Sequence, residues 1–145
     1  MNGRFLLLAS VTATLILVLA AGPVAAAHNF KNHGSGDINN TNSMDFDAGN
    51  LAATTSQDLQ FEAVNPNYRV LHARTGSMIL KMGASRPTYA TCSSATLGNV
   101  DYKAKDAVGK WFCFKTDQNR FARFRVDAVA PYPGALTITW ATWQY

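Results

Sequence analysis

Two cysteines, Cys92 and Cys113, are the residues of this sequence whose spacing most directly indicates a chemical role. An even number of cysteines in a secreted chain is typical of a disulfide, and closing a loop of 22 residues would stabilise the fold by roughly 3 kcal/mol. A redox site is disfavoured because the sequence has no Cys-x-x-Cys spacing. A thiolate or imidazole metal site is also disfavoured, because the cysteines and His28, His33 and His72 show no ligand spacing.

Acidic residues near the start of the predicted domain were the other candidates for metal binding. Asp45 and Asp47 flank Phe46, which is compatible with a short strand whose carboxylates point outward. A calcium loop would need more oxygen ligands in register and a later acidic ligand, and the sequence does not offer one at the expected spacing. We therefore expect no metal site and no cofactor.

Catalytic chemistry has little support in the sequence. His72 is the one candidate for a general base inside the predicted domain, and no serine, aspartate or cysteine lies beside it in the chain. A spatial neighbour remains open at this point. The carboxylates that glycoside cleavage requires would have to come from turns or outward strand positions, and no glycine-rich phosphate loop is present. We therefore expect a protein that is not an enzyme and has no catalytic residues.

Aromatic and basic side chains are the candidate ligand-binding groups. They are Trp111, Tyr132, Trp143, Lys115, Arg123 and Arg125. Aromatic rings at strand ends or in a loop can stack on sugar rings, and a basic stripe can contact an anionic polymer. The alternative for each residue is structural: Trp111 would pack on the disulfide, and the arginines would form a solvated face.

The elements that must position these groups are clearest between residues 111 and 129. This stretch alternates as two strands joined by a polar turn, with Phe112 and Phe114 on one face and Cys113 on the other. Asn119 in the turn can adopt a left-handed conformation. A further strand at residues 136–143 follows a Pro-Tyr-Pro-Gly break.

The remaining elements are shorter. Strands are predicted at residues 58–63, 68–72 and 77–82, and a short helix within 88–96 carries Cys92. The pattern predicts a mainly β fold: an antiparallel sandwich or a bent, barrel-like sheet with one short helix.

Residues 1–27 have the layout of a secretory signal peptide. An apolar run at residues 5–21 is followed by a Gly-Pro break and by Ala25 and Ala27, at the positions that signal peptidase reads. The alternative is a retained membrane anchor, since about 17 apolar residues nearly span a bilayer. We favour cleavage after Ala27 and a secreted, extracellular protein.

The mature chain is then divided into two parts. Residues 28–43 are polar and rich in Gly, Ser and Asn, which predicts a flexible leader. Residues 44–145 form the β-rich domain. Its mildly basic charge is far from a nucleic-acid-binding composition, and we expect neither a nucleic-acid partner nor a membrane partner once the signal peptide is removed.

Several short motifs occur in a recognisable order. They are Asp45–Gly49 (Asp-Phe-Asp-x-Gly), Asp58–Phe61, Tyr89–Cys92, Gly109–Thr116, Asn119–Val126 and Leu136–Trp143. This order resembles a small β-rich module of secreted bacterial proteins, often found beside other domains. The chain differs at Asn119, where that family usually has glycine. The resemblance implies a shared fold and the Cys92–Cys113 bridge, and it brings no catalytic residues because the family has no established activity.

Taken together, these features predict a secreted, non-catalytic binding module. Its expected partner is a cell-surface or extracellular polysaccharide, anionic or neutral. The alternative is a protein-interaction or enzyme-inhibitor domain that docks on an extracellular protein through an edge strand or an exposed loop, with residues 130–135 as the candidate loop.

Overall fold

A computed structural model of the 145-residue protein describes residues 28–54 and 57–144. The predicted signal peptide therefore lies outside the described residues. In chain order the elements are β1 (Phe30–Ile38), β2 (Ser43–Asp45), β3 (Asn50–Ala53), β4 (Leu59–Ala63), β5 (Arg69–Ala73), β6 (Met78–Gly83), α1 (Tyr89–Ser94), β7 (Tyr102–Lys103), a 3-10 turn (Ala104–Asp106), β8 (Trp111–Lys115), β9 (Phe121–Val129) and β10 (Leu136–Trp143). Neither helical segment of the described chain has the length or the apolar character needed to cross a bilayer.

The strands form two five-stranded antiparallel sheets. The first sheet has the order β1-β10-β9-β8-β6, and the second has the order β3-β2-β4-β5-β7. Apolar side chains from both sheets meet in one buried cluster, in which the phenylalanines Phe46, Phe61, Phe112, Phe114 and Phe124 are fully buried. The mainly β prediction is confirmed, in the form of a sandwich and not of a closed barrel.

The β8–β9 hairpin agrees with its predicted alternation. Phe112 lies in the core and stacks on Phe124, with ring centroids 4.8 Å apart and an interplanar angle of 5°. Cys113 points to the opposite face of the sheet and belongs to a second apolar cluster. Asn119 in the turn has a φ of 63°, the left-handed conformation that its short polar side chain tolerates.

The predicted helix and disulfide are both present. Thr88 caps α1 by accepting a hydrogen bond from the Thr91 backbone N–H through its hydroxyl, at 3.2 Å. Cys92 is fully buried on this helix and is bonded to Cys113. The bridge holds α1 against the face of the first sheet that is turned away from the main core.

The expectation of a flexible leader at residues 28–43 is wrong for most of that segment. Residues 30–38 form β1, an edge strand that pairs with β10 from Phe30 opposite Trp143 to Ile38 opposite Leu136. The folded domain therefore begins at β1 and not at residue 44. Residues 50–53 form β3 at the edge of the second sheet.

The composition of β1 explains why its pattern was missed. Its inward positions include Gly34 and Gly36, which add no hydrophobic signal to the sequence. An added Cβ would lie 2.9 Å from the Trp140 ring at Gly34 and 2.4 Å from Leu51 Cδ1 at Gly36. The large side chains of other strands fill the space above β1, so the glycines serve close packing and not flexibility.

Substitution of Ile38 tests whether residues 30–38 form a packed strand or a flexible leader. Ile38 is fully buried in the core, so we expect Ile38→Ala to lower the free energy of unfolding by about 2–5 kcal/mol. The matched control, Lys31→Ala, changes an exposed residue of the same strand and should shift stability by less than about 0.5 kcal/mol. Urea unfolding of both variants makes the comparison, and equal stabilities would contradict the assignment of β1 to the core.

Candidate functional site

The outer face of the first sheet, turned away from the main core, is partly covered. The segment between β6 and β7 lies over it and carries α1, which the disulfide joins to β8. The second apolar cluster fills this contact and consists of Cys92, Cys113 and Trp143, with Met82, Tyr89, Leu97 and Phe121 packed against it. The covering segment therefore turns part of a flat sheet face into a packed surface.

A groove of about 370 Å³ lies on this outer face, between β1 and the covering segment. Its lining includes Phe30, His33, Ser35, Arg86, Thr139 and Ala141, and we call it the outer groove. His33 and Ser35 belong to β1 and pair with Ala141 and Thr139 of β10, so two adjacent strands of the first sheet supply most of the lining. Arg86 reaches it from the covering segment.

Arg123 on β9 lies beside the outer groove and is 8% exposed. Its guanidinium carbon is 5.2 Å from the ring centroid of Phe30 and 5.0 Å from that of Trp143. Nη1 donates to the Pro87 carbonyl oxygen at 2.7 Å, whereas the buried Nε has no hydrogen-bond partner among the described residues. Burial, with the nearby charge of Arg86, lowers the pKa of Arg123 from its usual range to about 10, so it remains a cation at neutral pH.

Trp111 on β8 is 8% exposed and lies beneath two arginines. The guanidinium carbons of Arg86 and Arg125 are each 5.6 Å from its ring centroid. Arg125 is also paired with Asp127, with Nε 2.5 Å from Oδ1. Within residues 28–54 and 57–144, no carboxylate lies within ion-pair distance of Arg86 or Arg123. One cation therefore lines the outer groove and a second lies beside it; aromatic rings orient both, and no acid among the described residues neutralises either.

The structure brings some of the sequence-predicted site residues together and separates others. Trp111, Trp143, Arg123 and Arg125 all lie on the outer face of the first sheet, and Lys115 ends β8 on the same face. Both tryptophans are buried against the protein's own side chains, so they do not form an exposed platform for sugar rings. Tyr132 is elsewhere: it is 41% exposed in the β9–β10 loop, and its hydroxyl donates to the Val64 carbonyl oxygen at 3.2 Å.

Sequence reasoning missed Arg86, Phe30, His33 and Ser35. Three of them belong to β1, which was expected to be a leader. Arg86 could have been found from the predicted disulfide, because it lies six residues before Cys92. A bridge to Cys113 requires that segment to lie on the same face as the predicted basic stripe.

His72 has one feature of a catalytic base. Its Nδ1 lies 2.5 Å from Oδ1 of Asp101, an arrangement that in a triad orients the imidazole. Both side chains are substantially exposed, on the second sheet and in the loop before β7. In the part of the chain that the structure describes, the His72 side chain makes no hydrogen bond to a serine, threonine or cysteine. The pair is a hydrogen-bonded contact at the protein surface.

Three buried carboxylates, which we call the acidic cluster, lie close together beside the second sheet. Asp45, Asp47 and Asp58 each place a carboxylate oxygen within 4.8 Å of the other two. Asp58, immediately before β4, joins Asp45 and Asp47 in space, although it does not have the spacing of a calcium loop. The hydrogen bond from the Asp58 N–H to the Met44 carbonyl oxygen, 3.0 Å long, explains this approach.

Asp58 connects three separate segments. Its Oδ2 accepts from the Phe46 N–H at 2.9 Å, and its Oδ1 accepts from the Ser77 hydroxyl at 2.9 Å and the Asp117 N–H at 3.0 Å. Burial raises the pKa of Asp58 from 3.8 to about 6, against the opposing effect of these donors, and the charge of Asp47 adds to the rise.

Comparison with protein-family models, with curated proteins and with solved structures finds no match to this chain.

Removal of the Asp58 carboxylate tests whether this side chain acts as a junction between the three segments that donate hydrogen bonds to it. Asp58→Ala leaves three donors without their acceptor, so we expect the free energy of unfolding to fall by about 3 kcal/mol or more. Asp106→Ala, at an exposed position, is the control and should change stability by less than about 0.5 kcal/mol. Denaturant unfolding with EDTA excludes any contribution from divalent cations, and a loss no larger than that of the control would contradict the junction.

Proposed function

We propose that this chain is an exported, non-catalytic binding module whose ligand is an anionic polysaccharide held in the outer groove. The observation that carries the proposal is that Arg86 lines the outer groove and the nearly buried Arg123 lies beside it, and that no carboxylate among the described residues neutralises either of them. Guanidinium groups present several N–H donors in a rigid plane and bind carboxylate, phosphate or sulfate groups with two hydrogen bonds.

The aromatic rings support an anionic ligand over a neutral one. Trp111 and Trp143 contact arginines of the protein itself and are nearly inaccessible to a sugar ring. Phe30, 39% exposed, and the exposed His33 are the aromatic side chains that could contribute stacking in the outer groove. The guanidinium group of Arg86 and the exposed Ser35 hydroxyl offer polar contacts beside them.

Export and family membership belong to the same proposal. A signal-like N-terminus and a disulfide both support an oxidising compartment outside the cytoplasm, since such bonds persist there. The order of motifs from Asp45 to Trp143 supports membership of the secreted bacterial β-rich module. A non-catalytic role is supported by His72, whose described hydrogen bonding includes no nucleophile.

An exposed apolar surface favours protein binding as the second candidate function. Tyr132 is 41% exposed, Val64 57% and Tyr68 44%, at the meeting point of the β4–β5 and β9–β10 loops. Tyrosine is enriched in protein interfaces because its ring provides apolar area and its hydroxyl a hydrogen bond. This surface includes the loop at residues 130–135 that the sequence identified as a docking candidate.

Binding to charged and neutral polymers tests the main proposal. We expect the protein to be retained on polygalacturonate, teichoic acid or dextran sulfate and not on dextran, with retention decreasing as salt increases. Arg86→Gln should raise Kd by roughly tenfold or more, because a charge-assisted hydrogen bond contributes about 1.5–3 kcal/mol. The matched control is Arg74→Gln, which removes the same charge beside the second sheet.

The outcomes separate the two functions. Equal retention on dextran, or equal losses for Arg86→Gln and Arg74→Gln, would contradict the outer groove as the ligand site. Capture of an extracellular protein that is lost with Tyr132→Ser and kept with Arg86→Gln would instead support the protein-binding alternative.

A further inference from the structure

The acidic cluster has an unusual balance of charge. Asp45 is 7% exposed, Asp47 3% and Asp58 0%, so all three carboxylates are withdrawn from water. The one ion pair to the cluster among the described residues joins Arg120 Nη1 to Asp47 Oδ1 at 2.8 Å. Among the described residues, one cation is therefore paired with a cluster of three buried carboxyl groups. Buried charge without compensation is strongly destabilising.

Hydrogen bonds account for part of the cluster but leave one oxygen without a donor. Asp45 Oδ1 accepts from the backbone N–H groups of Asp47 and Ala48 at 2.8 and 2.9 Å, and Asp58 has the three donors described above. Asp47 Oδ2, on a side chain that is 2% exposed, is buried and has no hydrogen-bond partner among the described residues. A buried carboxylate oxygen of this kind requires a positive group, a donor or a proton.

We propose that Asp45, Asp47 and Asp58 bind a single calcium ion. Oxygen ligands lie about 2.3–2.6 Å from calcium, so two of them can be roughly 5 Å apart, whereas the about 2.0–2.1 Å of magnesium limits them to roughly 4 Å. The three carboxylate oxygens all lie within 4.8 Å of one another, a spacing that calcium can span. The second oxygens of the carboxylates and water would complete the coordination.

The proposed ion has a structural role that is independent of the ligand in the outer groove. It would sit where the β2–β3 turn meets the start of β6 and the β8–β9 turn, which Asp58 already joins through Phe46, Ser77 and Asp117. Calcium bound there would neutralise the excess negative charge and supply the partner that Asp47 Oδ2 lacks.

Calorimetry and thermal unfolding of the oxidised chain test this site. After EDTA treatment and dialysis, titration with calcium chloride should show one saturable site, with Kd in the range of about 10⁻⁴–10⁻³ M typical of extracellular calcium modules. Calcium at ten times Kd should raise Tm by roughly 5 °C. Magnesium chloride should bind at least tenfold more weakly.

Variants assign the binding to the acidic cluster. Asp47→Asn keeps the size of the side chain and should abolish the calcium-dependent rise in Tm, whereas Asp106→Asn should retain it. Asp45→Asn provides a second variant if Asp47→Asn does not fold. Absence of a saturable calcium site in the folded wild-type chain, which needs no variant, would overturn the proposal. So would a calcium response that Asp47→Asn and Asp45→Asn both retain. Neither result depends on polysaccharide binding.

Discussion

Burial of β8 on both faces is the constraint on which the rest of the structure depends. Phe112 and Phe114 point into the sandwich core, while Cys113 between them points into the second apolar cluster. A central strand that is apolar on both sides must be covered on both sides. The second sheet covers one side of β8, and the segment carrying α1 covers the other. Because both faces of β8 are apolar, this segment would have to pack there even without a covalent bond, and the Cys92–Cys113 disulfide holds it in place.

The outer groove follows from this two-sided covering. Arg86 belongs to the covering segment, and Arg123 belongs to the sheet below it. Aromatic rings fill the space between cover and sheet, and they restrict the guanidinium groups without neutralising them. Charge that is held in place loses little side-chain entropy when a ligand binds, so the same packing that stabilises the cover also preorganises the proposed anion site.

The sequence predicted the elements whose hydrophobic pattern lies within one stretch of chain, and it missed the features that depend on residues distant in the chain. Strong alternation placed Phe112, Cys113 and Phe124 correctly, since each strand contains its own pattern. β1 was missed because its inward glycines derive their packing from Trp140 and Leu51, which are distant in the chain. The acidic cluster was missed for a related reason: Asp58 approaches Asp45 and Asp47 through strand pairing, which ligand spacing along a single loop does not reveal. The buried state of Trp111 and Trp143 required knowledge of which arginines cover them.

Hydrogen bonds connect the acidic cluster to the strands that line the outer groove. The Phe46 carbonyl oxygen accepts from Asn32 Nδ2 at 2.8 Å and from the Thr142 hydroxyl at 2.7 Å, and Asn32 Oδ1 accepts from Trp140 Nε1 at 3.3 Å. Asn32 and Thr142 are opposite each other in β1 and β10, whose other face lines the groove. The loop that carries Asp45 and Asp47 is therefore tied to both strands on the face opposite the groove. β1, the strand that the sequence least clearly revealed, thus has the acidic cluster on one side and the outer groove on the other.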